Sequence, residues 1–376
     1  MDDEKALQGL RVLDLSRVLS GPYATMCLAD MGADVVKVER PGKGDDTRSF
    51  GPPFVDGVST YFLSINRGKR SICLDLKSPV DRETLKELAA RADVLVENFR
   101  PGVMKRLGLS YAELSELNPG LVYCSISGFG QDKEGPGYDL MVQGLSGIPS
   151  VTGDGIIPTK CGASIADLVA GMNAVQAILA ALIRRGRSGA GALVDVPMLD
   201  GQLSLLTYHA SAWLNGGVTP RAIGNAHPSI HPFCAYRTQD GHLNLALGND
   251  KLFSEFCALL QLDWDQDERF ATNEKRVENR DVLDALMIPL MAGRSTETWL
   301  ECLAEKAVPA GPLLTVPDAL KNAALLSHPH PTTGQAVHSV ALPYSIGDAS
   351  RGSERPAPEL GAHRQEVLDA WLSETE

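Results

Sequence analysis

The first third of the chain alternates short runs of β-branched residues with segments of helical periodicity. The first such runs are at 11–16, 34–39 and 71–76. Helical patterns at about 22–31 and 80–91 separate them. Continuous apolar strands between helices are typical of a mostly parallel sheet covered on both faces, so we predict an α/β fold. The pattern continues in strands predicted at 93–97, 121–126 and 192–196, a long helix from Asp167 to about Arg185, and a helix ending near Leu214.

The second half of the chain changes character. A chain of 376 residues exceeds the roughly 250–300 at which one core stops growing, so two domains are expected. Runs of alternating polarity at 234–238 and 242–247 flank Gln239-Asp-Gly241, which predicts a β-hairpin. We predict a large domain at 1–215, a smaller α+β domain at 225–312 and a return into the large domain at 313–376. The other predicted elements are helices near 250–261, 275–292, 295–306 and 363–372, and a strand at 336–342.

Charge and local motifs exclude several classes of protein. The net charge of −12 opposes general nucleic-acid binding, which needs a basic face. The acidic N-terminus lacks the pattern of a signal peptide, and no uncharged apolar run is long enough to cross a bilayer, so we expect a cytoplasmic protein with no membrane partner. The first strand-to-helix turn, Arg17–Tyr23, lacks the G-x-G-x-x-G of a dinucleotide site.

Neither cysteine nor histidine spacing indicates a metal site. The seven cysteines form no C-x-x-C pair, and we expect them to be reduced and structural. Cys161 is a rival nucleophile, although no basic partner is evident. His227 and His231 have H-x-x-x-H spacing, but Pro228 and Pro232 oppose the helix that would align them. We predict no metal ligands, and we expect His328-Pro-His330-Pro to form a turn.

Asp167 stands alone in the apolar stretch Gly162–Met172 and opens the predicted long helix. Two interpretations are open. Together with Ser164 it matches the S-x-x-D spacing of a helix cap, and an acid in the first turn complements the helix dipole. Alternatively, a carboxylate partly removed from water is a nucleophile for an activated acyl carbon. Local sequence alone favours the cap.

Basic residues recur near the ends of successive predicted strands. Ligands of parallel sheets bind at strand ends, where several cations could hold a ligand with several phosphates, such as coenzyme A. A single cationic side chain at the surface is, however, more often solvated by water than bound to a ligand. The recurring residues are Arg40, Lys69, Arg70, Lys77, Arg100, Lys105 and Arg106, of which Arg40, Lys77, Arg100 and Arg106 could hold such a ligand.

Several long segments together resemble the class III CoA-transferases, the CaiB/BaiF or formyl-CoA-transferase-like family. The resemblance covers nearly the whole chain and implies a large Rossmann-like domain, a smaller domain and an interlocked homodimer. It places the nucleophile on Asp167 and implies no permanently bound cofactor, since CoA is a substrate. The segments that carry it are Leu10–Pro22, Gly32–Pro41, Asn66–Lys77, Ala92–Gly102 and Ser125–Gly130.

The family mechanism implies that Asp167 attacks an acyl-CoA to form an anhydride, which the CoA thiolate converts to an aspartyl-CoA thioester before an acceptor carboxylate completes the exchange. Such a reaction needs an unpaired carboxylate, exclusion of water and N–H donors for the oxyanions. By position the resemblance assigns CoA contacts to Val18, Arg40, Leu74, Lys77, Asn98, Phe99, Arg106 and Met198. Core packing is an equal alternative for Leu74 and Met198.

The family also contains α-methylacyl-CoA racemases, which usually carry a His-Asp pair where this chain has Tyr138-Asp139. Tyrosine ordinarily titrates at about pH 10, too high for an effective proton shuttle, so transfer is favoured over racemisation. Gly224–Phe233 resembles the succinyl-CoA:dicarboxylate branch, which includes the glutarate enzyme. There His227 and Ser229, with Tyr138, are candidate substrate contacts, although a conformational role for the proline-flanked turn is an equal alternative.

One departure from the family is a compressed segment at 326–334, where relatives have a longer stretch containing a strand. This departure makes the predicted return of residues 313–376 into the large domain less certain, whereas the nucleophile and CoA motifs are unaffected. A non-catalytic CoA-binding protein is the remaining alternative, and the presence of Asp167 argues against it.

Overall fold

The structure, a computed structural model, describes residues 5–373 and divides into two compact units. The larger unit comprises the chain up to Ile148, Lys160–Gly217 and the chain from Ala324 onward. The smaller unit comprises Pro149–Thr159 and Val218–Ala323. No sequence pattern predicts that Pro149–Thr159 leaves the larger unit.

The helices and strands follow one another closely along both units. In chain order the strands are β1 Arg11–Asp14, β2 Asp34–Glu39, β3 Phe54–Val55, β4 Val58–Ser59, β5 Lys69–Cys73, β6 Val94–Glu97, β7 Val122–Ser127, β8 Ala192–Pro197, β9 Phe233–Arg237, β10 His242–Ala246, β11 Ala310–Pro312, β12 Leu325–Pro329 and β13 Ala336–Val340. The α-helices are α1 Ser20–Asp30, α2 Thr60–Ile65, α3 Pro79–Arg91, α4 Val103–Arg106, α5 Tyr111–Leu117, α6 Asp139–Ser146, α7 Ile148–Val151, α8 Ile165–Ser188, α9 Met198–Ser204, α10 Thr207–Gly216, α11 Asp250–Leu260, α12 Asn273–Glu278, α13 Arg280–Ala292, α14 Thr296–Ala304, α15 Val316–Leu320 and α16 Arg364–Leu372. Short 3₁₀ helices lie at Asp46–Ser49 and Trp264–Gln266.

The larger unit is built on a six-stranded sheet with the order β5-β2-β1-β6-β7-β8. Every neighbouring pair is parallel, with Val12 of β1 opposite Val35 on one side and Val94 on the other. This confirms the α/β fold and the parallel sheet predicted from the apolar runs.

Alternate residues of the strands supply two separate cores. On one face Val12 and its neighbours pack with buried residues of α1 and α8. On the other face Leu13 packs with buried residues of α3, α5 and the C-terminal helix α16. The indole of Trp371 also donates to Asp34 Oδ2 at 2.8 Å, which ties α16 to the start of β2. A sheet covered on both faces is what continuous apolar strands require.

The smaller unit has its own core. Strands β9, β10 and β11 form an antiparallel sheet, with Leu243 opposite Tyr236 across the predicted hairpin. Side chains from α11, α13 and α14, including Phe253, Phe256 and Trp299, are buried against it. The hairpin prediction is confirmed.

Three element predictions were wrong in detail. The helix expected to end near Leu214 is two helices, because Thr207 adopts a positive φ of 30° at the start of α10. The helix expected at 275–292 is interrupted at Asn279. His328 lies in strand β12, paired with Val337 of β13, rather than in a turn. The compressed segment therefore retains a strand.

Helix α8 has the length and composition of a membrane-spanning segment, with a mean hydropathy of 1.7 over its most apolar window. Buried core helices share this composition, and Ala170, Ala174 and Ile178 of α8 pack against the sheet.

Candidate active site

Asp167 lies in the first turn of α8 and is partly exposed. The capping box expected from the sequence does not form, because the Ser164 side chain makes no capping hydrogen bond. Instead Asp139, from the start of α6, accepts a hydrogen bond from the Ala166 backbone N–H at 3.0 Å. Because the Asp139 carboxylate caps the N-terminus of α8, the Asp167 side chain is not used as a cap and faces a cavity.

Gln143 fixes the capping carboxylate from one turn further along α6. Its buried amide nitrogen donates to both oxygens of Asp139, at 3.0 and 2.9 Å. Its amide oxygen accepts the Cys161 backbone N–H at 2.9 Å. Gln143 therefore links α6 to the segment that leads into the helix of Asp167, and the cysteine considered as a rival nucleophile contributes a backbone contact here.

The electrostatic surroundings of Asp167 are acidic and poorly solvated. Burial raises the pKa of Asp167 to about 7, and the negative charge of Asp139 adds to the rise. A hydrogen bond from the Ser20 backbone N–H acts in the opposite direction. Such a carboxylate is basic for its type and already has one N–H donor beside it, as an acyl-accepting nucleophile requires.

Gly171 allows the Ser20 backbone to lie close to the Asp167 carboxylate. It lies one helical turn after Asp167, and a Cβ added there would be 2.7 Å from the Ser20 carbonyl oxygen and 2.9 Å from Cδ1 of Tyr23. Only a residue without a side chain permits α8 to pack against the start of α1 at this distance.

We expect Gly171→Ala to lower stability by about 1–3 kcal/mol and to reduce the turnover rate, because the Ser20 backbone must move away from Asp167. Gly186→Ala is the matched control on the same helix, since nothing lies within 4 Å of a Cβ there. That change should leave turnover intact and raise stability by up to about 1 kcal/mol. Thermal unfolding and steady-state kinetics measure both effects, and equal behaviour of the two variants would contradict the account.

Side chains from β2, from the loop after β2 and from the residue after β6 hold the loop that leads to Ser20. Asn98 accepts from the Arg17 backbone N–H at 2.8 Å and donates to its carbonyl at 2.7 Å. Asp45 accepts the backbone N–H of Val18, whose φ is +67°. The Lys37 ammonium donates to the Ser16 carbonyl at 2.9 Å. The Asn98 amide is therefore already used for positioning this loop.

Two neighbouring cavities of the larger unit collect most of the predicted CoA residues. A cavity of about 240 Å³ is lined by Arg40, Leu74, Lys77 and Phe99. A second, of about 460 Å³, contains Asp167 and Tyr138. Its lining also includes the predicted residues Val18, Asn98, Phe99 and Met198. Arg17 and Phe99 line both cavities, so a long ligand could reach from Lys77 to Asp167.

Some predicted cations serve other purposes. Lys69 and Arg70 begin β5 instead of ending it, and both are buried. Lys69 pairs with Asp14 at 2.9 Å, and Arg70 pairs with Asp34 at 2.5 Å. These two are structural and do not lie at the ligand-binding edge of the sheet. Arg106 is exposed on α4 outside the lining of both cavities.

His227 and Ser229 lie in the smaller unit, in a turn held by its own contacts. The Ser229 backbone N–H donates to Nδ1 of His227 at 3.1 Å, and Arg280 donates to the His227 carbonyl at 2.7 Å. Asn273 donates to the Ser229 carbonyl at 2.9 Å. These contacts support the conformational role considered for this turn, and substrate contact by either residue stays a prediction.

Within the described residues of the smaller unit, potential ligand atoms of His231, Cys234 and Asp284 lie within 4.8 Å of one another. Arg280 Nη1 lies 3.2 Å from Nδ1 of His231 and can only donate, so Nδ1 accepts. The proton of the neutral ring is then on Nε2, 3.4 Å from Asp284. Burial, together with the positive charges of Arg280 and Arg276, lowers the pKa of His231 to about 3. A protonated Nε2 cannot bind a metal, so this tautomer does not suit a metal centre.

Ser20, Gln143 and Tyr61 are site residues that the sequence did not reveal. Burial raises the pKa of Tyr61 to about 12, and the charges of Asp167, Asp45 and Asp139 add to the rise. Tyr61 lines a further cavity of about 900 Å³ beside Ser164 and Leu168, the neighbours of Asp167. Tyr61 follows a short hairpin with no recognisable motif, so sequence spacing offered no signal.

The family model described as CoA-transferase family III matches residues 7–364. The chain belongs to CoA-transferase family III. This confirms the predicted family and the predicted enzyme class, CoA transfer. The structure of this family III transferase resembles the crystal structure of a CAIB/BAIF family protein from Brucella suis, with a TM-score of 0.84, 39% identity and coverage of 97% and 100% of the two chains.

Two curated relatives of this family III transferase differ in their named substrates. The succinyl-CoA:glutarate CoA-transferase of Mus musculus is 42% identical over 387 residues, covering 99% of this chain and 87% of the mouse protein. The acetyl-CoA:oxalate CoA-transferase of Acetobacter aceti is 44% identical over 317 residues, covering 83% and 81%. Both act on a CoA thioester and a dicarboxylic acid, according to their names.

Proposed function

We propose that this protein transfers CoA from succinyl-CoA to a small dicarboxylic acid, with Asp167 as the nucleophile. The observation that carries the proposal is a partly buried carboxylate with a raised pKa, beside a backbone N–H donor, in a cavity that adjoins the predicted CoA residues. The names of the similar proteins support the choice of donor and acceptor class.

Each step exchanges one bond at an acyl carbon. The Asp167 carboxylate attacks the thioester, releasing the CoA thiolate and leaving a mixed anhydride. The thiolate attacks the Asp167 carbonyl, which releases the donor acid and leaves an aspartyl-CoA thioester. The acceptor carboxylate attacks that thioester, and the released thiolate then attacks the acceptor carbonyl and regenerates Asp167. The Ser20 N–H is placed to stabilise oxyanions at the Asp167 carbonyl.

In this proposal CoA lies along the two cavities. Arg40 and Lys77 bind phosphates, and Leu74, Phe99, Val18 and Met198 form the apolar walls. Arg106 is a peripheral phosphate contact at most, and Asn98 positions the loop of Val18. Tyr138, which is 64% exposed and immediately precedes α6, is the candidate contact for the acyl or acceptor group.

The proposed assembly is an interlocked homodimer in the cytoplasm, as the family resemblance implies. Helix α10 supports a partner surface, because none of its residues is buried and it exposes Trp213 and Leu214. Exposed apolar helices of this kind commonly mark protein interfaces. Light scattering of the purified chain should give a mass near twice 40.3 kDa, whereas a monomer would contradict the dimer.

The pH dependence of acylation follows from the raised pKa of Asp167. Only the ionised carboxylate attacks, so kcat/KM for succinyl-CoA should rise with pH to a plateau above about pH 7, falling about tenfold per unit below it. Asp139→Asn removes a negative charge that raises this pKa, so its profile should shift to lower pH. Initial rates between about pH 5 and 9 test this, and a flat profile in the unmodified chain would contradict it.

The function itself is tested with a panel of acceptors. With succinyl-CoA as donor, formation of acyl-CoA from glutarate, mesaconate, oxalate and a monocarboxylate control is followed by mass spectrometry. We expect transfer to at least one dicarboxylate and little to the monocarboxylate. The racemase alternative predicts instead exchange of the α-hydrogen of a 2-methylacyl-CoA for deuterium, without transfer to any acceptor.

A further inference from the structure

Asp46 accepts contacts from two arginines at once. Its Oδ1 lies 2.6 Å from Nη2 of Arg40, and its Oδ2 lies 3.3 Å from Nη1 of Arg17. The side chains are 42%, 50% and 35% exposed for Asp46, Arg40 and Arg17 respectively. The cluster is therefore accessible to a ligand from solution.

This cluster lies where the two cavities meet. Arg40 lines the cavity of Lys77, Asp46 lines the cavity of Asp167, and Arg17 lines both. The Arg17 guanidinium carbon is 5.3 Å from the centre of the Phe99 ring, and its buried Nε has no hydrogen-bond partner among residues 5–373. Two guanidinium groups thus converge on one point along the path of the ligand, and a carboxylate now occupies that point.

We propose that Asp46 is an internal competitor for a phosphate group of CoA, and that Arg17 is a further phosphate ligand. Guanidinium groups bind carboxylate and phosphate oxygens with the same paired geometry, so one anion can replace the other. When CoA binds, a phosphate displaces the Asp46 side chain from Arg17 and Arg40. This inference rests on the proposed CoA site and adds that the site limits its own affinity, which favours release of the product.

The neighbouring acid shows that Asp46 is free to take this role. Asp45 is buried and holds the fold through Lys37, Thr47 and Val18. The Asp46 side chain pairs with the two arginines at the surface, whereas its backbone is held in the 3₁₀ helix by the Ser49 hydroxyl. Exposed ion pairs contribute little to stability, so the carboxylate can be neutralised without unfolding the chain.

Calorimetric titration of the full chain with CoA tests whether Asp46 competes with a phosphate group. Asp46→Asn should bind CoA roughly threefold to tenfold more tightly than the unmodified chain, since an exposed pair is worth about 1 kcal/mol. Pantetheine, which has no phosphate, should bind equally to both. Equal tightening with dephospho-CoA assigns the displaced position to the diphosphate, and tightening with CoA alone assigns it to the 3′-phosphate. Either pattern supports the proposal.

Glu87→Gln is the control for net charge, because Glu87 is an exposed carboxylate on α3. It should not change the affinity. Arg17→Gln should weaken CoA binding, and the benefit of Asp46→Asn should shrink in the double variant. The proposal that Asp46 competes with phosphate is overturned if Asp46→Asn binds CoA with unchanged or lower affinity. It is also overturned if the affinity for pantetheine rises as much as the affinity for CoA. If the unmodified chain still transfers CoA, that result leaves the proposed function standing; a chain that binds no CoA overturns both.

Discussion

Asp167→Asn is expected to reduce CoA transfer by at least about 10⁴-fold, because no covalent intermediate can form without the carboxylate. The same change should stabilise the fold. Burial raises the pKa of Asp167, so the folded chain carries a penalty for ionisation that appears between the ordinary pKa of 3.8 and about 7 and is complete above it. After allowance for partial exposure, the gain at neutral pH is about 1–3 kcal/mol.

Differential scanning calorimetry and a transfer assay measure the two effects together. The stabilisation should disappear as the pH falls toward 4, where Asp167 is protonated in both states. Asp200→Asn, at an exposed carboxylate on α9, is the matched control and should change neither property. An Asp167→Asn variant that is less stable and retains more than a tenth of the activity would show that this carboxylate is structural.

Lys37→Met is expected to destabilise the fold by about 3–5 kcal/mol, the cost of breaking a fully buried ion pair. The Lys37 ammonium is 2.9 Å from Asp45 and 3.8 Å from Asp14, and all three side chains are inaccessible to solvent. Burial alone would lower the pKa of Lys37, but Asp14 and Asp45 raise it. Removing the ammonium leaves the buried Asp45 carboxylate without its cation and frees the Ser16 carbonyl, which also loosens the loop before Ser20.

Urea denaturation measures this loss, with Lys86→Met as the control. Lys86 pairs with Glu83 at 2.8 Å on the surface, so its removal should cost less than about 1 kcal/mol. Lys37 holds the pKa of Asp45 below its usual range, although burial opposes this. The difference in free energy of unfolding between the unmodified chain and Lys37→Met should therefore become smaller as the pH falls and Asp45 becomes protonated. Equal effects of the two lysine variants would contradict the positioning role of this pair.

The sequence predicted the sheet because burial on both faces leaves a local signature. Strands such as Val94–Glu97 are apolar along almost their whole length, and Gln239-Asp-Gly241 has the composition that a hairpin turn requires. It also placed Asp167 at a helix start, which the structure confirms. These features depend on neighbours in the chain.

Features that depend on distant residues could not be predicted. The cap of α8 comes from Asp139, and Gly171 matters only because the start of α1 packs against it. Lys69 is one of the basic residues that recur around the predicted strands, and only the fold shows that its partner is Asp14 in the core. The role of Asp46 could not be predicted from the sequence, because it depends on two arginines that only the fold brings close to it.

The Asp167 carboxylate is expected to become acylated during turnover. The chain is incubated with succinyl-CoA without an acceptor, trapped with hydroxylamine, digested and analysed by mass spectrometry, with Asp167→Asn treated in parallel. We predict a hydroxamate on the peptide containing Asp167 in the unmodified chain alone. Transfer activity in a chain whose peptide stays unmodified, or whose modification lies on Cys161, would contradict the account.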